Sequence, residues 1–441
     1  MATRRGDGMS VDIRAMVRDG RMSRFQIVAV TVCMAINALD GFDVLSIAFT
    51  GPKIAKDWLL APTELGLLFS AGLAGMMLGS LLLSPLADAI GRRFLVLLGL
   101  ILITIGMASS GFAHDLKELA LLRVFTGLGI GSLLSSINTI VMEYASEKRK
   151  AFAIAFMAVG YPVGATIGGT IAVFLIAAYG WRSVFFFGAS LSAVLIPLAY
   201  VTLPESLDFL LAKRRGNALA RINALLGRMG RPLLDALPAP AAKIDGDMRG
   251  ALTADFAWRT ARICAAYFLA MIPFYFMLNW TPNVLVDQGL SLSTGISGAV
   301  VMNGAGVFGG LLFGAIANRI GLRPLTAVCM VLFFAAVAGF GAVGKDLTLL
   351  LILAGAVGFF MIGMISGLYA VIGAMYATRV RNTGTGLALG IGRLGAVVGP
   401  YLGGMLIGAG WSRPLYCAAL AAPLLIAAIL IRRVPLLADK L

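Results

Sequence analysis

The chain places two acidic residues close together in the run Ile36-Asn37-Ala38-Leu39-Asp40-Gly41-Phe42-Asp43, inside an apolar segment from Phe25 to Phe49. This segment is long enough to cross a bilayer as a helix. A spacing of three residues puts both carboxylates on one face of that helix. Carboxylates at membrane depth are costly and occur mostly where they face a cavity that carries protons, ions or substrates. The run therefore predicts a membrane protein with Asp40 and Asp43 as proton-coupling residues.

The electrostatics of the pair support this interpretation. Like charges so close in a dry site do not both ionise easily, which makes one of them a candidate proton acceptor near neutral pH. Two alternatives stay open: the pair lies at a helix end among lipid headgroups, or an arginine neutralises one aspartate for structural reasons alone. The position of both residues near the middle of the segment favours proton handling.

The composition of the whole chain indicates an integral membrane protein. Of its 441 residues, 59% are hydrophobic and only 13% are charged, and the mean hydropathy is +0.92. A soluble fold of this size has too little polar surface to cover so many apolar residues. The four cysteines lie in apolar segments without metal-ligand spacing, and the only histidine, His114, lies in a polar loop. We therefore expect no disulfide framework, metal site or cofactor.

Twelve apolar segments follow one another along the chain, each near the roughly 20 residues that a transmembrane helix needs. They are residues 25–49, 64–86, 94–113, 119–142, 152–177, 183–203, 261–280, 295–317, 324–343, 347–375, 384–408 and 414–431. Such long apolar runs exclude a closed barrel. The sequence therefore predicts an all-α integral membrane fold with twelve transmembrane helices and both termini on one side.

One long polar stretch divides these segments into two sets of six. The predicted parts are an N-terminal arm (1–24), a first six-helix half (25–203), a central loop (204–260), a second six-helix half (261–431) and a tail (432–441). The central loop contains an amphipathic run from Leu207 to Met229, which predicts a helix lying on the membrane surface.

Basic residues are concentrated on the side of the membrane that holds the termini. They occur in the arm, the central loop, the tail and the loops at residues 92–93, 148–150 and 319–323, whereas the opposite side carries few. This asymmetry predicts that both termini are cytoplasmic. It also explains the net charge of +15 without nucleic acid as a partner.

The two halves repeat each other. Gly160-Tyr-Pro-Val-Gly164 in the fifth segment matches Gly395-Ala-Val-Val-Gly399 in the eleventh, and the loop at residues 86–93 matches the loop at 316–323. Equivalent positions are 230 to 235 residues apart. Because equivalent helices cross in the same direction, these are parallel repeats. That architecture is typical of secondary transporters, with the substrate site between the halves.

These motifs carry a family resemblance that covers all twelve segments. The run Asp88-Ala-Ile-Gly91-Arg92-Arg93 resembles the cytoplasmic loop signature of the major facilitator superfamily, although Ser84 and Ala89 replace an expected glycine and an expected basic residue. The start of the fourth segment, at residues 123–131, is similar to the superfamily's second motif. The resemblance implies the major facilitator fold and a gating role for Asp88, Gly91, Arg92 and Arg93.

Within the superfamily, Asp40-Gly-Phe-Asp43 resembles the Asp-Gly-aromatic-Asp signature of the aromatic acid:proton symporters, and Trp280-Thr-Pro282 and Gly392-Arg393-Leu-Gly395 resemble that group too. The resemblance implies proton-driven import of aromatic carboxylates such as benzoate or hydroxybenzoates across a bacterial inner membrane, for aromatic catabolism. Muconate-like and other small organic acids stay open as substrates. We expect a monomer whose partners are the substrate, protons and membrane lipid.

Arg393 is the strongest candidate to hold the substrate carboxylate. It lies near the middle of the eleventh segment, and a guanidinium binds a carboxylate through two parallel hydrogen bonds. An ion pair with Asp40 or Asp43 is the structural alternative. Arg123 lies nearer the non-cytoplasmic end of its helix, where substrate binding, coupling, snorkelling and pairing with an aspartate of the first segment all stay open.

Other polar residues in the helices are weaker candidates. Ser135, Asn138 and Asn303 are predicted to bind ring hydroxyl groups, although hydrogen bonds between helices explain them equally well. Glu143 closes the fourth segment beside the basic residues 148–150, so it is expected to form a salt bridge at the gate.

The charges of the four membrane residues favour symport. Asp40 and Asp43 balance Arg123 and Arg393, so a bound carboxylate adds a charge that is costly in a low dielectric unless a proton accompanies it. A drug:proton antiporter of the same fold is the alternative class. Its usual Gly-Pro-x-x-Gly-Gly run stands here in the eleventh segment, at 399–404, instead of the fifth. An enzyme is not expected, because the sequence shows neither a nucleophile–base set nor metal ligands.

Overall fold

The structure is a computed structural model that describes residues 16–17, 20–214, 217–237, 254–376 and 378–435. Twelve helices in this part of the chain are long and apolar enough to cross a membrane. They are α1 (Arg24–Trp58), α2 (Pro62–Ile90), α3 (Arg92–Ser110), α4 (Leu116–Tyr144), α5 (Lys150–Tyr179), α6 (Arg182–Thr202), α7 (Ala254–Asp287), α8 (Leu292–Ile320), α9 (Leu322–Ala342), α10 (Leu347–Met375), α11 (Thr378–Gly408) and α12 (Arg413–Arg432). The described residues form no strand, and the predicted all-α fold with twelve membrane helices is confirmed.

Each predicted segment corresponds to one helix, and the largest differences are at helix ends. α1 continues nine residues beyond Phe49 to Trp58, and Leu59 then ends it with a left-handed backbone. Sequence hydropathy ends a segment where charged residues begin, but a helix continues through lysines that reach the membrane surface. α2 changes from α to π geometry at Gly79–Leu83 and to 3-10 geometry at Ser84–Leu86.

The repeated glycine runs make equivalent helix–helix contacts in both halves. A Cβ built on Gly160 or Gly164 of α5 would overlap the backbone of α1, and one on Gly395 or Gly399 of α11 would overlap the backbone of α7. Glycine at these positions allows the two helix backbones to approach closely. The runs therefore pack α5 on α1 and α11 on α7, as expected for parallel repeats.

The start of α1 and the end of α12 lie on the same side, because each half contributes six helices. In the first half, Gln26 Nε2 at the start of α1 donates to the carbonyl oxygen of Tyr144 at the end of α4 (2.7 Å). In the second half, Arg262 Nη1 near the start of α7 donates to the carbonyl oxygen of Arg433 (2.8 Å). We call this side of the protein the terminal side and the opposite side the far side.

The two halves are in close contact toward the far side. Ser70 Oγ of α2 donates to the carbonyl oxygen of Val397 in α11 (2.7 Å). One helical turn further out, a Cβ on Gly66 would lie 2.9 Å from the carbonyl oxygen of Pro400. The Gly-Pro run of α11 thus forms a packing surface between the halves.

The central loop packs against the terminal side of the first half. The amphipathic run expected as one helix is instead two, Leu207–Lys213 and Ala218–Arg228. The first helix ends because Arg214 adopts a left-handed backbone with φ 44°. Arg228 of the second helix lies over the ring of Phe25 at the start of α1, 4.5 Å from its centroid.

Parts of the predicted domain scheme lie outside the described residues. These are most of the N-terminal arm, residues 238–253 of the central loop and most of the tail. All the domain boundaries given above stay predictions.

Candidate substrate and coupling site

The first half contains a buried ion pair between α1 and α4. Arg123 Nη1 lies 3.2 Å from Asp43 Oδ1, and the two side chains are 4% and 0% exposed. Arg123 Nη2 donates to Ser110 Oγ (2.8 Å) and Thr126 Oγ1 (2.9 Å). Of the alternatives that the sequence leaves open for Arg123, the structure shows pairing with an aspartate of α1. Its predicted contact with substrate stays a prediction, and it would require this pair to open.

Asp40 lies in different surroundings from Asp43, although both are on α1. Its Oδ1 atom is buried without a hydrogen-bond partner among the described residues. Its charged and polar neighbours are Asp43, Arg393 of α11, Tyr161 of α5 and Tyr275 of α7. Since α7 and α11 belong to the second half, Asp40 faces the boundary between the halves, whereas Asp43 is engaged within the first half.

Arg393 reaches across that boundary. Its Nη1 donates to the backbone carbonyl oxygen of Met76 in α2 (3.3 Å). No described carboxylate lies within salt-bridge distance of its guanidinium. The structural alternative, an ion pair with Asp40 or Asp43, is therefore not formed in this conformation. A half-buried guanidinium with donors to spare matches the predicted role as carboxylate ligand.

A small cavity lies next to the Asp43–Arg123 pair. It encloses about 20 Å³ and is lined on one side by those two residues, Thr126 and Met76. This volume has room for about one water molecule. Asp43 Oδ2 and Arg123 Nε, both without a protein partner, are the groups that such a water would satisfy.

Several tyrosines lie near Arg393. The ring of Tyr267 lies against Gly392, where a Cβ would overlap it. The Tyr267 ring also contacts that of Tyr369 on α10, with 6.3 Å between the centroids and an angle of 66°. Tyr275 lies further along α7 beside Phe274, with 5.0 Å between ring centroids. Aromatic residues are common in membrane helices, so composition gave no signal for this cluster.

Two of the three weaker candidates, Ser135 and Asn303, form hydrogen bonds with other protein groups. Ser135 is exposed, and its hydroxyl donates to Ser84 Oγ at 3.1 Å. Because Ser135 is twelve residues beyond Arg123 on α4, it lies about 18 Å along the helix toward the terminal side. Asn138 is half-buried nearly one turn further on. Asn303 of α8 is buried and donates to the carbonyl oxygen of Ala299 in its own helix (2.9 Å). Their predicted contact with ring hydroxyls stays a prediction.

The gate residues cluster at the terminal ends of α2, α3 and α4. Arg92 Nη2 pairs with Asp88 Oδ1 (3.1 Å), and its Nη1 donates to Thr139 Oγ1 of α4 (3.2 Å). Arg93 lies over the ring of Tyr200 on α6, 5.0 Å from its centroid. The loop signature therefore connects four helices of the first half, α2, α3, α4 and α6.

Glu205, which the sequence analysis did not single out, anchors this loop. Its Oε1 accepts from the backbone N–H groups of Arg92 (2.8 Å), Arg93 (3.2 Å) and Ser206 (2.9 Å). A carboxylate is favourable at the N-terminus of a helix, here α3, where N–H groups lack helical partners. Gly91 allows this approach, because its φ is +103° and a Cβ there would overlap the Glu205 carboxylate. The signal in the sequence was an acidic residue directly after a membrane helix.

Glu143 does not form the expected salt bridge with residues 148–150, which is a correction. Its Oε1 accepts from Ser206 Oγ (2.8 Å) and its Oε2 from the backbone N–H of Leu207 (2.8 Å). The carboxylate thus caps the first helix of the central loop, whose free N–H groups attract an acceptor. It still connects α4 to the gate region, and its gating role stays a prediction.

The comparison with known families follows from this geometry. Two overlapping stretches of the chain, 32–344 and 263–440, match the Major Facilitator Superfamily. The chain belongs to this superfamily. Its named relatives are transporters, in agreement with the expectation that the protein is not an enzyme. Among the described residues, no group of three His, Cys, Asp or Glu side chains is placed to hold a metal ion.

The similar curated proteins include several aromatic acid transporters. The gallate transporter of Pseudomonas putida is 29% identical over 423 residues, covering 96% of this chain and 94% of that protein. The 4-hydroxybenzoate transporter PcaK of Pseudomonas putida is 30% identical over 436 residues, covering 96% and 95%. The benzoate transport protein of Acinetobacter baylyi is 27% identical over 420 residues, covering 90% and 87%. The family resemblance inferred from the motifs is thereby confirmed.

Solved structures of the superfamily share the fold. The inward-open xylose transporter XylE from E. coli superposes with a TM-score of 0.74 at 16% identity, covering 94% of this chain and 98% of that one. An inward-facing bacterial homologue of the human lysosomal transporter Spinster gives a TM-score of 0.70 at 18% identity, covering 93% and 97%. At these identities the likeness concerns the fold alone. The two six-helix halves of the major facilitator fold are confirmed.

Proposed function

We propose that this protein is a proton-coupled symporter that imports aromatic carboxylates such as benzoate or hydroxybenzoates by alternating access. We place it in the bacterial cytoplasmic membrane with the terminal side toward the cytoplasm. The distribution of basic residues supports this orientation. The relatives named for gallate, 4-hydroxybenzoate and benzoate support the substrate class.

One observation carries the proposal: two opposite and uncommitted charged groups meet at the boundary between the halves. Asp40 has a buried carboxylate oxygen without a partner, and Arg393 has a guanidinium outside any described ion pair. The second half thus offers a carboxylate ligand, and the first half offers a proton acceptor next to it. A group of each kind is what a symporter for an organic acid requires.

The charge balance explains why a proton accompanies the substrate. Asp43 and Arg123 neutralise each other within the first half, so Asp40 and Arg393 set the net charge of the central site. A substrate carboxylate bound to Arg393 leaves Asp40 uncompensated. A buried, unpaired charge is costly, so we propose that Asp40 takes up a proton when the acid binds. Release of the proton and the acid toward the cytoplasm restores the empty site.

The packing of the halves fits one state of such a cycle. Contacts between α2 and α11, at Ser70 and Gly66, close the far side. The gate residues Asp88, Gly91, Arg92, Arg93 and Glu143 lie at the opposite ends of the helices. We interpret the structure as the inward-facing state, and we propose that the gate contacts form and break during the transition to the outward-facing state.

Uptake into proteoliposomes tests this function. The purified protein is reconstituted, an inward proton gradient is imposed, and accumulation of labelled 4-hydroxybenzoate, benzoate and muconate is measured against the amides as uncharged controls. We expect accumulation of the aromatic acids above equilibrium, abolished by a protonophore. Accumulation of muconate alone would identify an aliphatic acid symporter, and export of a cationic drug against proton entry would identify an antiporter.

The Asp40→Asn and Asp43→Asn variants test the coupling. An amide cannot carry a proton, so Asp40→Asn should lose gradient-driven accumulation. Asp43→Asn should lose it because Arg123 is left without its ion-pair partner. Asp40→Asn should retain exchange of labelled for unlabelled acid, because the carboxylate ligand is intact. Full accumulation by both single variants would show that the carboxylates are structural.

A further inference from the structure

We propose that the tyrosines around Arg393 form a subsite that selects aromatic acids with ring hydroxyl groups over unsubstituted ones. This inference rests on the proposed function and names the substrate more narrowly. The four residues are Tyr161 of α5, Tyr267 and Tyr275 of α7, and Tyr369 of α10. They contribute phenol groups to the boundary between the halves, where a ring held through its carboxylate would lie.

The position of Tyr267 relative to Arg393 is fixed by packing. The Tyr267 ring fills the space above Gly392, where any side chain would overlap it, and Gly392 directly precedes Arg393 in α11. The ring is 4% exposed, so it has little freedom to move. A carboxylate bound to Arg393 therefore has a phenol ring as its immediate neighbour.

Tyr369 extends this aromatic surface into open space. Its ring meets that of Tyr267 edge-on, with centroids 6.3 Å apart, and it is 49% exposed. Edge-to-face pairs of this kind are favourable for aromatic rings. The Tyr267–Tyr369 pair thus forms an aromatic surface next to Arg393.

Tyr275 and Tyr161 lie on the other side of Arg393, next to Asp40. Tyr275 is eight residues beyond Tyr267, which places it about 12 Å further along α7 and about 80° around the helix. The backbone of Tyr161 packs against Gly41, the residue that follows Asp40. Tyr275 is a neighbour of both Tyr161 and Arg393. The phenols thus bracket the space between the proton acceptor and the carboxylate ligand.

The hydroxyl groups of Tyr161 and Tyr275 can form hydrogen bonds with a ligand. No hydrogen bond between described residues uses either phenolic oxygen. Neither oxygen is among the fully buried atoms without a partner, whereas Asp40 Oδ1 is. A phenol donates one hydrogen bond and accepts others, so it pairs well with a hydroxyl group on a substrate ring. A phenylalanine would supply the same ring for stacking. The hydroxyls are therefore the feature that separates a hydroxylated acid from benzoate, because a site that hydrogen-bonds a substrate hydroxyl disfavours the analogue lacking it.

Equilibrium binding to the purified full-length protein tests this inference. The ligands are benzoate, 4-hydroxybenzoate and gallate, and the variants are Tyr161→Phe, Tyr275→Phe and the double variant. Tyr416→Phe is the matched control, because Tyr416 is a buried tyrosine on α12 that packs against Phe276 instead of the site. Each substitution removes one oxygen atom and keeps the ring.

We expect the wild-type protein to bind the hydroxylated acids more tightly than benzoate. Each Tyr→Phe change at the site should weaken binding of a hydroxylated acid about three- to tenfold, as expected for loss of one neutral hydrogen bond. Benzoate binding should change less than about twofold, and the control should alter neither. Thermal unfolding of each variant confirms that it is folded.

Two results would overturn the inference while leaving the proposed function intact. One is a wild-type protein that binds benzoate as tightly as the hydroxylated acids. The other is an unchanged ratio of affinities in the double variant. Absence of binding by all three acids to the wild-type protein would refute the proposed function, and the inference with it.

Discussion

Arg123 and Asp43 form an ion pair that is closed within the first half, with 3.2 Å between Nη1 and Oδ1. The second half has no counterpart to it. The glycine contacts align Met34 with Phe268 and Ala38 with Ile272, and the same offset aligns Asp40 and Asp43 with Phe274 and Met277. The two repeats therefore share the same backbone packing, but they carry different charged residues. The acidic groups lie in the first half, and Arg393 lies in the second.

The ion pair predicts that the two aspartates differ in their effect on stability. Asp43→Asn removes one partner of a buried pair, which typically costs about 3–5 kcal/mol because it leaves the other charge uncompensated. Asp40→Asn removes a carboxylate with no ion-pair partner, so it should cost much less. Thermal unfolding in detergent should show a marked drop in Tm for Asp43→Asn and a small change for Asp40→Asn.

A double replacement supplies the control for this comparison. Asp43→Leu together with Arg123→Met replaces the pair with apolar side chains of similar length, which is often neutral or stabilising at a buried site. We expect its Tm to recover toward that of the wild-type protein. Equal Tm values for the two single Asn variants would contradict a structural role of the Asp43–Arg123 pair.

The contact between Glu205 and the loop at residues 91–93 predicts that Gly91 tolerates no side chain. Gly91→Ala combines a backbone conformation that L residues rarely adopt with an overlap between the new Cβ and the Glu205 carboxylate. The displaced carboxylate would leave the backbone N–H groups of Arg92 and Arg93 without an acceptor, at about 1–3 kcal/mol each. We expect loss of most transport activity in proteoliposomes.

Gly180→Ala separates strain from the loss of this anchor. Gly180 has a φ of +79°, and a Cβ there would meet nothing within 4 Å. Gly180→Ala therefore introduces backbone strain like that of Gly91→Ala, but no overlap with a neighbouring side chain. If Gly91→Ala and Gly180→Ala transport equally well, the contact between Glu205 and the loop does not matter for function.

The sequence predicted the fold well because hydropathy and glycine spacing act locally. Twelve apolar runs predicted the twelve helices, and the matching runs at 160–164 and 395–399 showed in advance which helix pairs repeat. The ends were less accurate, as at α1, because a helix continues into the membrane surface where hydropathy falls. The central-loop helix was predicted unbroken, because amphipathic periodicity does not reveal the left-handed residue Arg214 that divides it.

The site was harder to predict, because its members come from helices that meet only in the folded protein. Sequence showed that Asp40, Asp43, Arg123 and Arg393 lie at membrane depth, but two aspartates and two arginines allow several pairings. Only the packing of α1 on α4 selects Asp43 for Arg123. Tyr161 and Tyr267 could not be placed at the site for the same reason. Tyr267 is part of the site because Gly392 leaves room for its ring, a relationship between residues 125 positions apart.

The proposed orientation of the protein predicts opposite labelling of two loop positions. Leu233 lies in the central loop on the terminal side and is 62% exposed. Gly344 lies in the far-side loop between α9 and α10, where a Cβ would meet nothing within 4 Å. The four native cysteines are buried, so they should react slowly. In intact cells, an impermeant thiol reagent should label Gly344→Cys and not Leu233→Cys. The reverse pattern would place the termini outside the cytoplasm.

The far-side contact predicts that a single methyl group shifts the transport cycle. A Cβ on Gly404 of α11 would overlap the carbonyl oxygen of Pro62 and lie 3.1 Å from Gly66 Cα, both in α2. Gly404→Ala should therefore disfavour the closed far side by the cost of overpacking, about 1–3 kcal/mol. Every 1.4 kcal/mol changes an equilibrium constant tenfold, so the outward-open state should become about ten times more populated.

A cysteine at the seal between the halves measures this shift. Ser70 is buried at the contact with Val397, so Ser70→Cys should react with a reagent added from the far side only when α2 and α11 separate. We expect its labelling to be about tenfold faster in the Gly404→Ala background. Gly304→Ala is the matched control, because a Cβ on Gly304 of α8 meets nothing within 4 Å. Equal labelling rates in the two backgrounds would show that the close approach of α2 and α11 does not hold the far side shut.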